Sequence, residues 1–128
     1  MAKGELALVL HAHLPYVRSA EAGSLEEDWF FQALMECYLP LLHVLEEAAT
    51  APNQRPRITI GLSPTLLSLL TAPELKQRFP SWLAVRLDLL RHAPKDRRAA
   101  ADHLADTIKS QLQYWLACDG DLLGLFRQ

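Results

Sequence analysis

A chain of 128 residues is long enough for one domain, or a part of one, and can bury a substantial core. Half of it is hydrophobic, 22% is charged and the formal net charge is -2; its one basic cluster, Lys95-Asp96-Arg97-Arg98, is short and carries an acid, which argues against a nucleic-acid partner. No apolar run approaches the ~20 residues of a membrane span, Glu5 and two histidines interrupt the apolar N-terminal segment, and Cys37 and Cys118 fall outside any Cys-x-x-Cys spacing, so we expect a cytoplasmic protein, unassociated with membranes, with two reduced core thiols.

Residues 6–14 of "ELALVLHAHLPYVR" are short, apolar and ended by Pro15, which suits a strand buried on both faces. Ser24 followed by Glu27 is a capping-box spacing, in which each side chain satisfies a backbone N–H at a helix start. Behind it Leu34, Tyr38, Leu41 and Leu45 recur as one stripe of an amphipathic helix, and Pro40 within the stripe should kink or split it. A linker rich in turn formers, with Pro52, Asn53 and Pro56, leads to Ile58, Ile60 and Leu62 in alternation, a second strand. Ser63-Pro64 pairs a cap with a proline at the first helical position, so a helix opens there. The remainder reads as helices separated by prolines 73, 80 and 94. The last long one carries Leu104, Ile108, Leu112 and Trp115 on one face, and Gly120 ends or interrupts it. Trp82 and Trp115 fall on apolar stripes and are expected in the core.

Strand, helix, strand implies parallel pairing through a crossover. A parallel sheet needs more than two strands and cover on both faces, so this order reads as the opening of a larger α/β barrel or sheet.

His11 and His13 share a face, being two residues apart on a strand, and lie at its C-terminal end, where parallel α/β folds gather their active sites. Three roles compete: core histidines bonded to backbone, ligands of a zinc-type ion, or a polar wall for a hydroxyl-rich substrate. The second needs further ligands, and His43, His92 and His103 all fall on expected helices. The third is favoured by Tyr16 and Trp29, whose aromatic faces suit sugar rings. Glu26, Glu27 and Asp28 beside Trp29 read as acids complementing a helix N-terminus. Asp119 and Asp121 read as caps.

"ALVLHAHLPYVR", "EEDWFFQALMECYLPLL", "ITIGLSPTLLSLL" and the closing "DLLGLFR" together resemble, in order and at compatible spacing, the N-terminal region of glycoside hydrolase family 57, and within it the 1,4-alpha-glucan branching subgroup. His13-Leu14-Pro15 is similar to the family's first signature, usually His-Gln-Pro, with Leu14 in place of glutamine. The resemblance implies an α/β fold in which residues 1–128 are the first two strand-helix units of an incomplete (β/α)7 TIM-like barrel, with the rest of the barrel and helical subdomains beyond. It implies α-glucan as partner, cleavage of α-1,4 bonds with retention, transfer to a 6-hydroxyl, and no cofactor or metal. His11, His13, Tyr16 and Trp29 are then substrate-binding residues. The catalytic residues are absent, because the family's glutamate and aspartate, about 5–5.5 Å apart in a retaining enzyme, come from later strands; alone the chain should be inactive. Cys37 and Gln32 stand where many members have threonine and glutamate. An α-amylase or 4-α-glucanotransferase is the nearest alternative; a metal-dependent hydrolase or a non-catalytic binding module is the alternative of another class.

Overall fold

The computed structural model describes residues 4, 6–16, 23–50 and 57–127. The linker prolines and Asn53 lie outside the described residues. Strands β1 (Leu8–Ala12) and β2 (Ile58–Leu62) pair in parallel, Leu8 opposite Ile58 and Ala12 opposite Leu62. Alternation sorts their side chains. Leu10 and Ala12 share a face with Ile58, Ile60 and Leu62, while Val9 and His11 share the other with Thr59 and Gly61. Ile58, Ile60 and Leu62 look onto Leu42, Ala49 and Phe126 across an open groove of about 350 Å³. The opposite face is bare, with Val9 68% exposed. This corrects the expectation of a strand buried on both faces: among the described residues no element covers the Val9–His11 side.

Helix α1 (Leu25–Ala33) opens as the sequence predicts, Ser24 Oγ accepting from the Glu27 N–H at 3.2 Å. The return bond differs from the usual box. Glu27 Oε1 accepts from Gly23 N–H at 3.1 Å, one residue before the cap. The acidic trio does more than complement the dipole. Glu27 is buried and pairs with Arg78 at 2.5 Å, and Asp28 accepts from Trp82 Nε1 at 2.7 Å and from Arg86.

Pro40 neither kinks nor splits the helix in the expected way. A π-helical turn, Leu34–Tyr38, precedes it and runs into α2 (Leu39–Thr50). The wide turn carries one more residue than an α turn, so the apolar stripe is rotated beyond it. Leu39 and Leu42 are buried where a regular helix would have buried Leu41 and Leu45, which are half-exposed.

Ser63 caps α3 (Pro64–Thr71), its Oγ accepting from Leu66 N–H at 3.3 Å, with Pro64 at the first position. Helix α4 (Pro73–Arg91) begins on Pro73 and contains Pro80, which was expected to divide it. Leu75, Phe79 and Leu83 are buried on either side of Pro80, and that packing outweighs the lost backbone bond. A short 3-10 turn, Lys95–Arg97, leads to α5 (Arg98–Ala117). Its buried stripe is Ala101, Ile108, Gln111 and Trp115; Leu104, expected there, is 41% exposed.

Helix α5 ends in a left-handed reversal. Gly120 N–H returns to Trp115 O at 3.0 Å and Asp119 N–H to Leu116 O at 3.3 Å, with φ of 51° at Asp119 and 64° at Gly120. A Cβ at Gly120 would stand 2.8 Å from Trp115 Cζ2, so glycine is required there. Asp121 then caps α6 (Leu122–Phe126), accepting from Gly124 N–H at 3.1 Å. Asp121 is thus a cap, though of the helix that follows rather than the one it was expected to end, and Asp119 is a left-handed turn residue instead of the expected cap.

The core lies among the helices. Phe30, Phe31, Leu34, Leu39, Leu66, Leu69, Phe79, Leu83 and Ile108 are buried in one cluster, which the strands meet through partly buried Ala12 and Leu62, and the loop after β1 through Leu14. Phe31, Phe79 and Trp115 form a ring chain with centroids 5.5 and 4.7 Å apart. Trp115 is core, as expected; Trp82 is half-buried at its margin, with Arg86 3.2 Å over its ring. Cys37 is exposed, against the expectation of a core thiol, because the π turn brings Tyr38 rather than its neighbour inward.

Candidate functional site

His11 is the fourth residue of β1, and His13 follows the strand's end. Both side chains are exposed, and their rings lie parallel, 11° apart in plane with centroids 6.0 Å apart. Gly61 stands opposite His11, and a Cβ there would lie 3.4 Å from His11 Nδ1. Glycine leaves the imidazole room on the sheet.

The backbone beneath the pair is held at three successive carbonyls. Ser63 N–H donates to Ala12 O at 3.0 Å, Tyr38 Oη to His13 O at 3.4 Å, and Thr65 Oγ1 to Leu14 O at 2.7 Å. Ser63 Oγ and Thr65 Oγ1 are 3.0 Å apart. Since the Thr65 proton goes to Leu14, Ser63 donates to Thr65, which orders both hydroxyls. Burial, and then the neighbouring Cys37 thiol, raise the Tyr38 phenol above its ordinary value, so it stays a donor. The arrangement fixes the loop while leaving two imidazoles facing outward. Imidazoles in that position can donate to and accept from the hydroxyls of a ligand, which is the chemistry of a sugar-binding wall.

Tyr16 ends the described part of the same loop and is 54% exposed. Trp29 is 52% exposed on α1, and no ring contact joins it to the histidines among the described residues. The structure therefore brings His11 and His13 together, and Trp29 makes no ring contact with them. His43 packs on the Tyr114 ring at 4.1 Å, His92 Nδ1 lies 2.9 Å from Asp88 O, and His103 sits on α5. Among the described residues no three His, Cys, Asp or Glu side chains gather as metal ligands would. Tyr38, Gly61, Ser63 and Thr65 were not singled out as site residues by sequence reasoning. A glycine inside the alternating "ITIGL" was a signal for close approach at Gly61; the hydroxyls carried none beyond the cap at Ser63.

The Glycosyl hydrolase family 57 model matches residues 7–128. A 1,4-alpha-glucan branching enzyme of Thermococcus kodakarensis is 30% identical over 129 residues, 98% of this chain and 19% of that protein. The crystal structure of a GH57-type branching enzyme from Pyrococcus horikoshii superposes with a TM-score of 0.85 at 32% identity, over 97% of this chain and 24% of that one. An alpha-amylase from Thermotoga maritima superposes at 0.83 with 26% identity, over 98% and 25%. The chain spans between 19% and 25% of the length of these relatives. With two parallel strands, a helical core and this match along almost its whole length, the chain belongs to glycosyl hydrolase family 57.

Proposed function

We propose that these residues are the N-terminal part of the catalytic barrel of a retaining α-glucan enzyme, acting as a 1,4-alpha-glucan branching enzyme on a glycogen- or starch-type polymer in the cytoplasm. His11 and His13 contact the reacting sugar, and Tyr16 and Trp29 extend the wall along the glucan. The catalytic glutamate and aspartate come from strands of the same polypeptide that follow β2 in the sheet. The observation that carries this reading is the parallel pair of exposed imidazoles at the C-terminal end of β1, on a backbone held at three carbonyls. The branching-enzyme names of the relatives in Thermococcus and Pyrococcus favour branching over hydrolysis.

Iodine staining of amylose by the intact enzyme tests it. Branching moves the colour toward red-brown without matching release of reducing ends, and a debranching enzyme reverses the change. Release of reducing ends in step with colour loss makes the enzyme an amylase. Changed chain lengths without debranchable links make it a 4-α-glucanotransferase. Loss of activity with a chelator assigns the histidines to a metal instead.

A further inference from the structure

The π-helical turn leaves a carbonyl with no donor in its own helix. Leu39 N–H, which an α-helix would give to Met35 O, goes to Leu34 O. The next donor in π geometry would be residue 40, a proline with no N–H. Met35 is only 9% exposed, so water offers little remedy. The donor arrives from 76 residues away: Gln111 Nε2 on α5 reaches Met35 O at 2.6 Å. Gln111 is itself 4% exposed, and among the described residues its Oε1 has no hydrogen-bond partner. A buried amide that uses only its donor end, among apolar neighbours such as Ile108 and Trp115 on the same stripe, is placed for that carbonyl. The turn it satisfies ends at Tyr38, whose hydroxyl donates to the His13 carbonyl.

We infer that Gln111 is a positioning residue for His13, holding the π turn that sets the Tyr38 hydroxyl under the His13 carbonyl. The link to turnover rests on the proposed glucan reading; the geometric link does not. Without the Gln111 donor the turn tightens toward α geometry, Tyr38 rotates, and the His13 loop loses the middle of its three anchors.

The test uses the intact enzyme labelled with 13C at histidine Cε1. Gln111→Leu and Tyr38→Phe are each expected to move the His13 cross-peak, while those of His92 and His103 stay in place. The double variant is expected to move it no further than Tyr38→Phe alone, since both act through one bond. Turnover of amylose by Gln111→Leu is expected to fall about 10- to 100-fold with KM within about twofold, the pattern of a misplaced catalytic-site group. A His13 peak unmoved by Gln111→Leu, with only a lower melting temperature, overturns the inference. If that variant does not fold, Tyr38→Phe, which keeps its ring in the core, decides alone: a His13 peak indifferent to it removes the bond on which the inference stands. Peak movement without loss of turnover upholds the positioning and counts against the sugar-contacting role of His13.

Discussion

His13→Ala removes an exposed ring from a backbone that other groups hold in place. Stability is therefore expected to change by no more than about 0.5 kcal/mol, the usual range for surface positions. If the imidazole stabilises charge on the reacting sugar, kcat/KM of the intact enzyme falls about 100- to 1,000-fold, the cost of losing one such donor. Thermal melting and initial rates measured together separate the two effects, and an unchanged rate removes His13 from the site. Two phenols, buried Tyr38 and half-exposed Tyr114, give a second prediction at this scale. Tyr38 is raised from 10.0 by burial and then by Cys37; Tyr114 is raised by burial, then by its hydrogen bond to Glu46 and that carboxylate's charge. Each is a group whose folded value lies above its unfolded one. Its contribution is present in full below the unfolded value of 10.0 and is lost as pH climbs toward the folded value. Urea midpoints should hold steady to about pH 9 and decline above about pH 10. Tyr114→Phe should flatten that decline, and an equal slope in the variant would show that other groups cause it.

Between Glu27 and Leu42 the buried positions run 27, 31, 35, 39 and 30, 34, 38, 42, every fourth residue. An α-helix turns about 100° per residue, so a period of four drifts about 40° per step and about 120° over three steps. One extra residue in the π turn takes back about 100° of that drift and keeps Phe30 and Leu42 on one core-facing side. The period was present in the sequence, as was the proline. A 3.6-residue template fitted through Leu34 and Tyr38 nevertheless put Leu41 and Leu45 inward, because a local pattern does not report where a helix widens. The donor that permits the widening is on another helix. Local chemistry was legible wherever it was self-contained: Ser24 with Glu27, Ser63 with Pro64, the alternation of Ile58, Ile60 and Leu62. Pro80 and Gln111 were not, since Phe79, Leu83 and the Met35 carbonyl decide their places from outside their own turn. Pro40→Ala makes this testable. It supplies an N–H five residues after Met35, so Gln111→Leu should cost about 1–3 kcal/mol in the wild-type background and less when combined with Pro40→Ala. Urea unfolding of the four proteins should give a coupling of at least about 0.5 kcal/mol, with any effect of proline on the unfolded chain cancelling around the cycle. Strict additivity would mean that the amide does not serve that carbonyl.

The two imidazoles stand exposed on a side of the sheet that no described element covers. Their placement at the C-terminal end of β1 was legible from a two-residue spacing. The setting of Trp29 was not, because α1, which carries it, is held on α4 through Glu27–Arg78 and Asp28–Trp82, contacts 51 and 54 residues apart. The same packing leaves a molecule with an uneven surface. The helices have a finished core, whereas Leu6 and Val9 are 95% and 68% exposed, the groove under Ile58 and Ile60 is open, and among the described residues the sheet has two strands. Two strands are marginal alone, and a sheet with free edges and an open apolar groove invites association. If further strands of one polypeptide complete the sheet, residues 1–128 expressed by themselves should bind a hydrophobic dye such as ANS. They should also associate with rising concentration and melt broadly, the helical part persisting after the sheet has frayed. Joined to the downstream polypeptide, the same residues should lose the dye binding and melt cooperatively. A 128-residue product that stays monomeric in sedimentation, ignores the dye and melts in one sharp step would be a finished module. The histidine pair would then serve binding without catalysis.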